Sequence, residues 1–373
     1  MDAFRKGTGI VCEYNPFHKG HAYQIETLKK SGAQFVVCAM SGDFVQRGEY
    51  AFQEKHIRAR NAVNSGADIV LEIPFPFSSL SAEGFARAGI SILENSGLCS
   101  SFGFGSECAD AEKLSKIAEI LTPSFHREVI NKQKEEPNLS YASAREMLVE
   151  EVLSKEFAEI IKHPNDILGV EYLKANKKLV PIAVKRETPR GGHDDFFASS
   201  SYIRQNFSDK NTNVAKWLPE EYDFEGVYGD IGLFYKHVLL SLMQKTPGEL
   251  SSIAEISSGL EHSIIKNAFV AQNYEELLNL LSSKTTTDAK IRRMLLFAFF
   301  GVTKDVAKSI PLYTEVLAAS DVGKKMLKKY VEDRKIIVAS RIAEIKRDKD
   351  AYEQYCLARR AREVFEKCLT ITP

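Results

Sequence analysis

The chain has 373 residues, of which 44% are hydrophobic and 27% charged, and its 50 Lys and Arg balance its 50 Asp and Glu. This is the composition of an ordinary globular protein, so intrinsically disordered, collagen-like and low-complexity classes are excluded. No segment approaches the roughly 18 uncharged apolar residues of a transmembrane helix and the first residues show no signal-peptide pattern, so we expect a cytoplasmic protein of about two domains with no membrane partner.

Short apolar runs alternate with helical patterns along the first 120 residues. Strands are predicted at 8–12, 35–40, 67–73 and 100–105, and helices near 19–31, 53–65, 81–96 and 110–121. Strands and helices that alternate at this length predict βαβ units and a parallel sheet, and therefore an α/β, Rossmann-like fold. Ligands of such sheets bind at the carboxyl ends of the strands, so the residues that follow each strand are the first candidates for a site.

The pattern becomes mainly helical in the second half of the chain. Residues 123–175 are predicted as helical, and a further strand at 179–184 leads into a polar loop at 185–205. Later helices are predicted near 230–245, 261–282, 289–301 and 321–347. The sequence therefore predicts an α/β domain at 1–215 followed by a mainly α-helical domain at 216–373. Its six cysteines form no CxxC pair and no zinc-finger spacing, so no zinc site is expected. Asp194 and Asp195 of the polar loop are interpreted either as Mg²⁺ contacts or as part of a solvated turn, and no metal ligand is assigned.

The connection between the first strand and the first helix contains His18-Lys19-Gly20-His21. Two histidines three residues apart lie on one face of a starting helix, Gly20 permits a ligand to approach the backbone, and a helix N-terminus binds anions. A metal pair is better spaced at four residues, and no third ligand is evident locally. We therefore predict a nucleoside triphosphate site, in which the imidazoles stabilise charge at the α-phosphate as pyrophosphate leaves.

Several unusual segments agree, in order, with one family. They are EYNPFHKGH (13–21), SGDFVQRGE (41–49), ADIVLEIPFPF (67–77), FGFGSE (102–107), PNDILGVEYLKA (164–175) and SSSYIR (199–204). The HxGH sequence resembles the signature of the HIGH-type nucleotidyltransferases. The whole set resembles the bacterial tRNA(Met) cytidine acetate ligase family over roughly residues 8–205, and a weaker resemblance continues at 284–301.

This resemblance implies a two-step reaction on ATP. Acetate attacks the α-phosphate to give acetyl-adenylate and pyrophosphate, and the acetyl group then passes to the exocyclic amine of the wobble cytidine of elongator tRNA(Met), releasing AMP. The resemblance also implies that Gly105, Asn165 and Arg186 bind ATP, with Mg²⁺ arriving on the nucleotide. The implied ATP-binding segment comprises Val11, Cys12, Glu13, Tyr14, Asn15, Pro16, Phe17, His18, Lys19, Gly20, His21, Ala22, Tyr23 and Gln24.

Further charged and polar residues complete the predicted site. Lys19 and Arg204 are the expected charge partners of the phosphates, and with His18 and His21 they form the predicted catalytic set. Ser41 and Arg47 follow the second strand, where a small carboxylate or a phosphate would bind. The charges interpreted as solvent-exposed on the second helix are Arg58 and Arg60.

Positive charge is concentrated in the last quarter of the chain. Residues 283–373 contain 20 Lys and Arg against 12 Asp and Glu. Basic residues spaced by three and four stack on one helix face, and such a face can bind RNA phosphates without reading bases. A solvated helix face is the alternative interpretation. The candidate tRNA contacts are Lys284, Arg292, Arg293, Lys324, Lys325 and Lys328.

Two other functions remain open from the residues alone. A small-molecule adenylyltransferase would use the same HxGH on a phosphorylated metabolite, but it has no need of a basic helical region. A non-catalytic RNA-binding protein with a relic nucleotide site is disfavoured by the intact His18, Gly20, His21 and Arg204. The preferred prediction is acetylation of elongator tRNA(Met) from ATP and acetate. The sequence predicts no particular oligomeric state.

Overall fold

The computed structural model describes residues 6–136, 138–187, 192–209, 211–227, 232–283 and 286–370. The strands in these ranges are β1 (Gly7–Cys12), β2 (Val36–Ser41), β3 (Phe44–Val45), β4 (Glu49–Tyr50), β5 (Ile69–Ile73), β6 (Cys99–Ser106), β7 (Val180–Lys185), β8 (Tyr313–Ala319) and β9 (Ile337–Ala339). The five strands predicted from apolar runs are confirmed as β1, β2, β5, β6 and β7.

Helices connect and cover the strands. Those up to β7 are α1 (Lys19–Lys30), α2 (Lys55–Asn64), α3 (Ala82–Asn95), α4 (Ala111–Ile120), α5 (Pro123–Glu135), α6 (Tyr141–Val152), α7 (Lys155–Ile160) and α8 (Pro164–Ala175). Those after β7 are α9 (Ser200–Asn206), α10 (Gly232–Leu242), α11 (Pro247–Ser251), α12 (Leu260–Val270), α13 (Tyr274–Leu281), α14 (Asp288–Phe300), α15 (Lys304–Lys308), α16 (Asp321–Lys329), α17 (Ile342–Ile345) and α18 (Lys349–Thr370). Short 3₁₀ turns lie at Phe77–Ser79 and Val214–Trp217.

The main sheet has the strand order β7-β6-β1-β2-β5-β8-β9. The strands from β7 to β5 are mutually parallel, whereas β8 pairs antiparallel with β5 and parallel with β9. From the central β1 the chain passes first to β2 and β5 on one side, and then to β6 and β7 on the other. This reversal creates a switch point at the carboxyl end of β1, where ligands bind in sheets of this type.

Both faces of the sheet are buried, as parallel sheets require. Val36, Cys38 and Met40 of β2 pack on the face covered by α1 and α2, while Val37 and Ala39 pack on the face covered by α3. Helix α3 lies unusually close to β1, because an added Cβ at its Gly89 would lie 2.4 Å from Cγ1 of Val11. The predicted α/β fold with a helical C-terminal region is therefore confirmed.

Two helices predicted in the second half are wrong as drawn. Residues 321–347 form α16, β9 and α17 in place of one helix, because the short apolar run Ile336–Ala339 joins the sheet edge beside β8. Residues 261–282 form α12 and α13, since Asn273 caps α13 by accepting a hydrogen bond from the Glu276 N–H. The division at residue 215 stays a prediction, although β8 and β9 belong to the same sheet as β1.

Among the described residues, no helix has both the length and the hydropathy needed to cross a membrane.

Candidate active site

The connection from β1 to α1 places the two histidines in one hydrogen-bonded unit. His18 is the N-cap of α1, and its Nδ1 accepts a hydrogen bond of 3.0 Å from the Gly20 N–H. The His18 N–H in turn donates to Nδ1 of His21 at 3.2 Å. The two rings stack with centroids 3.7 Å apart, and Tyr14 packs against His21 at 4.8 Å. This reciprocal arrangement is a capping box made from two imidazoles.

These contacts fix the protonation of both rings. Because each Nδ1 accepts a hydrogen bond, each neutral ring carries its proton on Nε2. Burial and, as the smaller cause, the positive charge of Arg186 together lower the pKa of His18 to about 3. Burial, then His18 and Arg186, likewise hold the pKa of His21 well below its usual value. At neutral pH the pair therefore provides two N–H donors and no imidazolium charge.

The depressed pKa of His18 predicts a measurable dependence of stability on pH. The unfolded chain takes up a proton near pH 6.5, whereas the folded chain does so only near pH 3. The contribution of His18 to the free energy of unfolding is therefore fully present above pH 6.5 and is lost as the pH falls toward 3. At pH 5 the loss from His18 is about 2 kcal/mol.

This contribution is measured by urea unfolding of the wild type and of His18→Asn at pH 7.5 and pH 5. Subtracting the change in unfolding free energy of the variant from that of the wild type removes the titration of all unrelated groups. The wild type should lose more stability on acidification than the variant. Equal losses in both proteins would contradict a depressed pKa at His18.

At the carboxyl end of β6, the predicted residues Gly105, Asn165 and Arg186 come together. They do so around Glu107, which was not predicted. Glu107 accepts a hydrogen bond of 2.7 Å from the Asn165 amide through Oε1, which lies 3.9 Å from Nε of Arg186. An added Cβ at Gly105 would lie 3.2 Å from Cγ of Arg186, so glycine allows the arginine stem to cross the strand closely. Asn165 and Arg186 thus share one carboxylate.

The backbone of this edge is held by a buried carboxylate. Asp166 is fully buried and accepts hydrogen bonds from the Ser106 hydroxyl and from the N–H groups of Glu107 and Cys108. The segments FGFGSE and PNDILG are therefore joined to each other, which explains how two motifs 60 residues apart act at one place. Glu107 lies in the first of these motifs, and this membership was its only signal in the sequence.

The opposite wall of the site contains the SSSYIR segment. Ser199 caps α9 by accepting a hydrogen bond from the Tyr202 N–H. The Arg204 guanidinium donates to the Asn15 carbonyl and lies 3.5 Å from the Ser201 hydroxyl. Glu13 faces Arg204, and burial raises the pKa of this carboxyl. Arg204 therefore links α9 to the segment that follows β1.

These elements surround a cavity of about 430 Å³ at the carboxyl end of β1. Its described lining contains three guanidinium groups, from Arg47, Arg186 and Arg204, against the single carboxylate of Glu13. Such a balance favours a polyanionic ligand. The other lining residues are Val11, Cys12, Tyr14, Asn15, His18, His21, Gln24, Gln46, Phe85, Phe104, Gly105, Pro164, Asn165, Leu168, Tyr172, Ser199, Ser200 and Ser201.

Other residues of the predicted ATP-binding segment lie elsewhere. Gly20 and Tyr23 line a small adjoining cleft of about 30 Å³. The exposed Lys19 does not line the cavity, because its ammonium donates to the Lys216 carbonyl at 2.6 Å. The neighbours outside both linings are Pro16, Phe17 and Ala22.

Two residues near the second strand differ from their expected environments. Ser41 is fully buried outside the cavity lining, and no described residue is hydrogen-bonded to its hydroxyl. Arg58, expected on the surface, is also fully buried, whereas Arg60 is exposed as expected and lies 3.7 Å from Asp223. The guanidinium of Arg58 donates to the carbonyls of Gln53, Glu13, Ser41 and Gly42. It therefore joins the carboxyl ends of β1 and β2, and no motif identified it.

The candidate tRNA contacts lie near opposite ends of the parallel strands. Arg292 pairs with Glu49 at 3.0 Å, and the largely buried Arg293 pairs with Glu255 at 2.7 Å, both beside the β3–β4 hairpin at the site edge. Helix α16 packs through Gly323 against the Asp68 carbonyl, which precedes β5. The lysines of α16 therefore lie near the amino end of β5, away from the cavity, and they are Lys324, Lys325 and Lys328. Lys284 lies outside the described residues.

In the part of the chain that the structure describes, no group of three or more His, Cys, Asp and Glu side chains is arranged to hold a metal ion. Asp194, in the polar loop, already accepts hydrogen bonds from the N–H groups of Phe196 and Phe197. These described side chains therefore form no metal site of their own.

Comparison with known proteins gives a consistent result over the whole chain. A family model described as HIGH Nucleotidyl Transferase matches residues 5–371. A protein of Acetivibrio thermocellus named tRNA(Met) cytidine acetate ligase is 35% identical over 352 residues, covering 86% of this chain and 85% of that protein. A protein of the same name from Thermoanaerobacter pseudethanolicus is 32% identical over 358 residues, covering 91% of this chain and 89% of that protein.

Two solved structures show the same architecture. Thermotoga maritima TmcAL bound with alpha-thio ATP superposes with a TM-score of 0.88 and 27% identity, covering 98% of this chain and 95% of that chain. The apo form of the same protein superposes with a TM-score of 0.89 and 26% identity, with the same coverage. The similarity therefore includes the sheet and the helical region together.

Proposed function

The chain belongs to the HIGH nucleotidyl transferases, in the tRNA(Met) cytidine acetate ligase family, and we propose that it acetylates the wobble cytidine of elongator tRNA(Met) from ATP and acetate. The observation that carries this proposal is the cavity at the end of β1. It combines three guanidinium groups with two imidazole rings whose Nε2–H groups are donors at neutral pH. This set is suited to a triphosphate that loses pyrophosphate.

In the first step, an acetate oxygen attacks the α-phosphorus of ATP, and the bond from that phosphorus to the β-phosphate oxygen breaks. The products are acetyl-adenylate and pyrophosphate. We assign His18 and His21 to the α-phosphate oxygens, where negative charge must be stabilised as the bond breaks. Arg204 is assigned to the leaving pyrophosphate, since a guanidinium can bind phosphate through two N–H groups.

Adenosine is assigned to the edge formed by β6 and α8. Gly105 allows close approach there, and Asn165 and Arg186 are oriented by Glu107. Arg47 is the candidate partner of acetate, because it is exposed on the hairpin that lines the same cavity. Mg²⁺ enters with the nucleotide in this proposal. Orientation of two bound substrates supplies much of the rate in such a reaction.

In the second step, the exocyclic N4 of cytidine attacks the acetyl carbonyl carbon. The bond from that carbon to the phosphate oxygen breaks, AMP leaves, and N4 gives up one proton. Because the acceptor is a tRNA, positive charge near the site is needed to hold phosphates. Arg292, beside the β3–β4 hairpin, is the best placed of the predicted tRNA contacts. The lysines of α16 lie near the amino end of β5, away from the cavity, and would hold a more distant part of the tRNA.

The function is tested by following α-labelled ATP with purified protein, Mg²⁺ and acetate, with and without an unmodified tRNA(Met) transcript. Formation of AMP together with acetylated cytidine, dependent on acetate, is the expected result. ATP binding without acetate- or tRNA-dependent turnover would refute the proposal. A transcript with the wobble cytidine replaced by uridine is the matched control, because uridine lacks the accepting amine.

Glu107 gives a separate prediction about ATP binding. In Glu107→Ala, the Asn165 amide and the Arg186 guanidinium lose their shared partner, so the adenosine edge is no longer held in position. We expect the KM for ATP to rise about tenfold, which corresponds to about 1.4 kcal/mol, while kcat changes by less than threefold. Initial rates of pyrophosphate release measure both constants.

The control for Glu107 is Glu112→Ala, which removes an exposed carboxylate in the first turn of α4. It should leave both constants unchanged. A loss in kcat with an unchanged KM in Glu107→Ala would assign the carboxylate to the chemical step and contradict a positioning role.

A further inference from the structure

A second cavity, of about 240 Å³, adjoins the β3–β4 hairpin on which the active-site cavity also depends. Gln46 and Arg47 line the first cavity, and Asp43 lines the second. Four residues of extended chain span at most about 14 Å, so the two cavities lie within the reach of adjacent nucleotides of one RNA strand. The second cavity is smaller than the roughly 300–1,000 Å³ of typical small-molecule sites, which suits a single base.

The floor of this cavity has more acceptors than donors. Nζ of the buried Lys55 lies 2.9 and 2.8 Å from the two carboxylate oxygens of Glu72. It also lies 3.6 Å from Asp43 and 3.8 Å from Glu315, so one ammonium faces three carboxylates.

Asp43 is the member of this cluster that points to a ligand. Its side chain is 7% exposed, and its Oδ1 accepts no hydrogen bond from any described residue. A buried acceptor without a donor is destabilising, because the cost of removing it from water is not offset by a hydrogen bond. The floor of the cavity therefore favours a ligand that brings an N–H group.

The walls are aromatic. Phe75, Tyr313 and Tyr355 line the cavity, and the rings of Tyr313 and Tyr355 meet edge to face with centroids 5.8 Å apart. Bases released from an RNA strand stack on such side chains while their edges are hydrogen-bonded. A carboxylate pairs with the exocyclic amine of a base. Aromatic walls with an unpaired carboxylate oxygen therefore match a base that carries an exocyclic amine, which is adenine, cytosine or guanine.

The mouth of the cavity is basic. Arg359 and Arg362 of α18 and His56 of α2 lie there. Arg359 is half-exposed and pairs with Glu363 one turn later on the same helix. Exposed ion pairs of this type contribute little to stability. The Arg359 guanidinium can therefore leave Glu363 and contact a phosphate when RNA binds.

We propose that the second cavity binds one nucleotide of the tRNA anticodon loop beside the wobble cytidine, with a base that carries an exocyclic amine. The exocyclic amine donates to Asp43, the base packs against Tyr355, and Arg359 contacts the adjoining phosphate. This inference rests on the proposed function. It adds a second point at which the tRNA is recognised by its bases, at a distance from the reacting amine.

The test compares Asp43→Asn, Tyr355→Ala and Arg359→Ala with the wild type in two assays. Acetate-dependent pyrophosphate release without tRNA measures adenylate formation, and kcat/KM for the tRNA transcript measures acetyl transfer. We expect at least a tenfold loss in the tRNA assay for Asp43→Asn and Tyr355→Ala, and about fivefold for Arg359→Ala. Lys349→Ala, which removes an exposed cation at the start of α18, is the control and should change neither.

Modified transcripts identify the base. Each adenosine, cytidine or guanosine of the anticodon loop other than the wobble cytidine is replaced, one at a time, by the analogue that lacks its exocyclic amine. At one position the replacement should cause the same loss as Asp43→Asn, and combining the two should cause no further loss. Additive losses at every position would overturn the proposal.

Failures of the two proposals are distinguishable. If the wild type forms no acetylated cytidine, the proposed function fails. If the wild type acetylates the transcript and Tyr355→Ala and Arg359→Ala do so equally well, only the second site fails. Variants that raise the KM for ATP without altering the tRNA assay would assign the cavity to a free mononucleotide and also overturn it. Urea unfolding verifies that each variant is folded.

Discussion

Replacing His18 by Ala is expected to lower the rate of acetate-dependent pyrophosphate release by about 10²–10³-fold, the loss typical when one preorganised donor to a developing charge is removed. The Nε2–H of His18 is aligned before the substrate binds, because Nδ1 is already held by the Gly20 N–H. The same substitution also removes the N-cap of α1, which lowers stability by about 1 kcal/mol.

His18→Asn separates these two effects. The asparagine oxygen can occupy the position of Nδ1 and cap the helix, whereas nothing replaces Nε2. We expect this variant to keep its unfolding midpoint within a few degrees of the wild type, and still to lose at least 10²-fold in rate. Single-turnover pyrophosphate release and thermal unfolding on the same preparations measure the two quantities. Full activity in the asparagine variant would restrict His18 to capping.

Arg58→Leu is expected to lower the free energy of unfolding by about 3–5 kcal/mol, among the largest effects of any single substitution in this chain. Arg58 is fully buried, and its guanidinium donates to three backbone carbonyls at the carboxyl ends of β1 and β2 and to the Gln53 carbonyl before α2. Leucine fills part of the volume but leaves these carbonyls without donors, and each buried acceptor left unpaired is destabilising by about 1–3 kcal/mol.

The control for Arg58 lies two residues away. Arg60→Leu removes the same charge from the same helix, but Arg60 is 55% exposed and only weakly paired. Its effect should stay within about 0.5 kcal/mol. Urea unfolding of the two variants gives the comparison directly. Equal effects would show that Arg58 acts through net charge and not through the carbonyls. Arg58→Lys should recover only part of the loss, since one ammonium cannot bind all four.

The elements nearest the candidate active site were predictable because the sequence patterns that identify them are local. Apolar runs of five to seven residues that are followed within three residues by Asn15, Gly42 or Pro74 identify buried parallel strands, and the HxGH spacing identifies the start of α1. The same local geometry explains the position of Lys19. Residues next to each other in a helix do not share a face, so the neighbour of His18 points away from the cavity.

The residues that were not predicted depend on partners far along the chain. Arg58 lies in a polar helix, and only the three-dimensional position of the β1 and β2 carbonyls makes it a buried residue. Glu107 was visible as part of a motif, but its contact with Asn165 requires the β6 and α8 segments to meet. Strand β8 was missed because its partner, β5, lies in the first quarter of the sequence.

The pairing of β5 with β8 makes the catalytic sheet a product of nearly the whole chain. Val70 pairs with Ala318, so the edge of β5 stays open during synthesis until the ribosome has released residues well beyond 300. An unpaired strand edge is the usual starting point for intermolecular association, and contacts this distant in sequence form slowly. The nascent protein therefore passes through a long interval in which the β5 edge is unpaired, and a chain terminated before β8 would carry an incomplete, association-prone sheet.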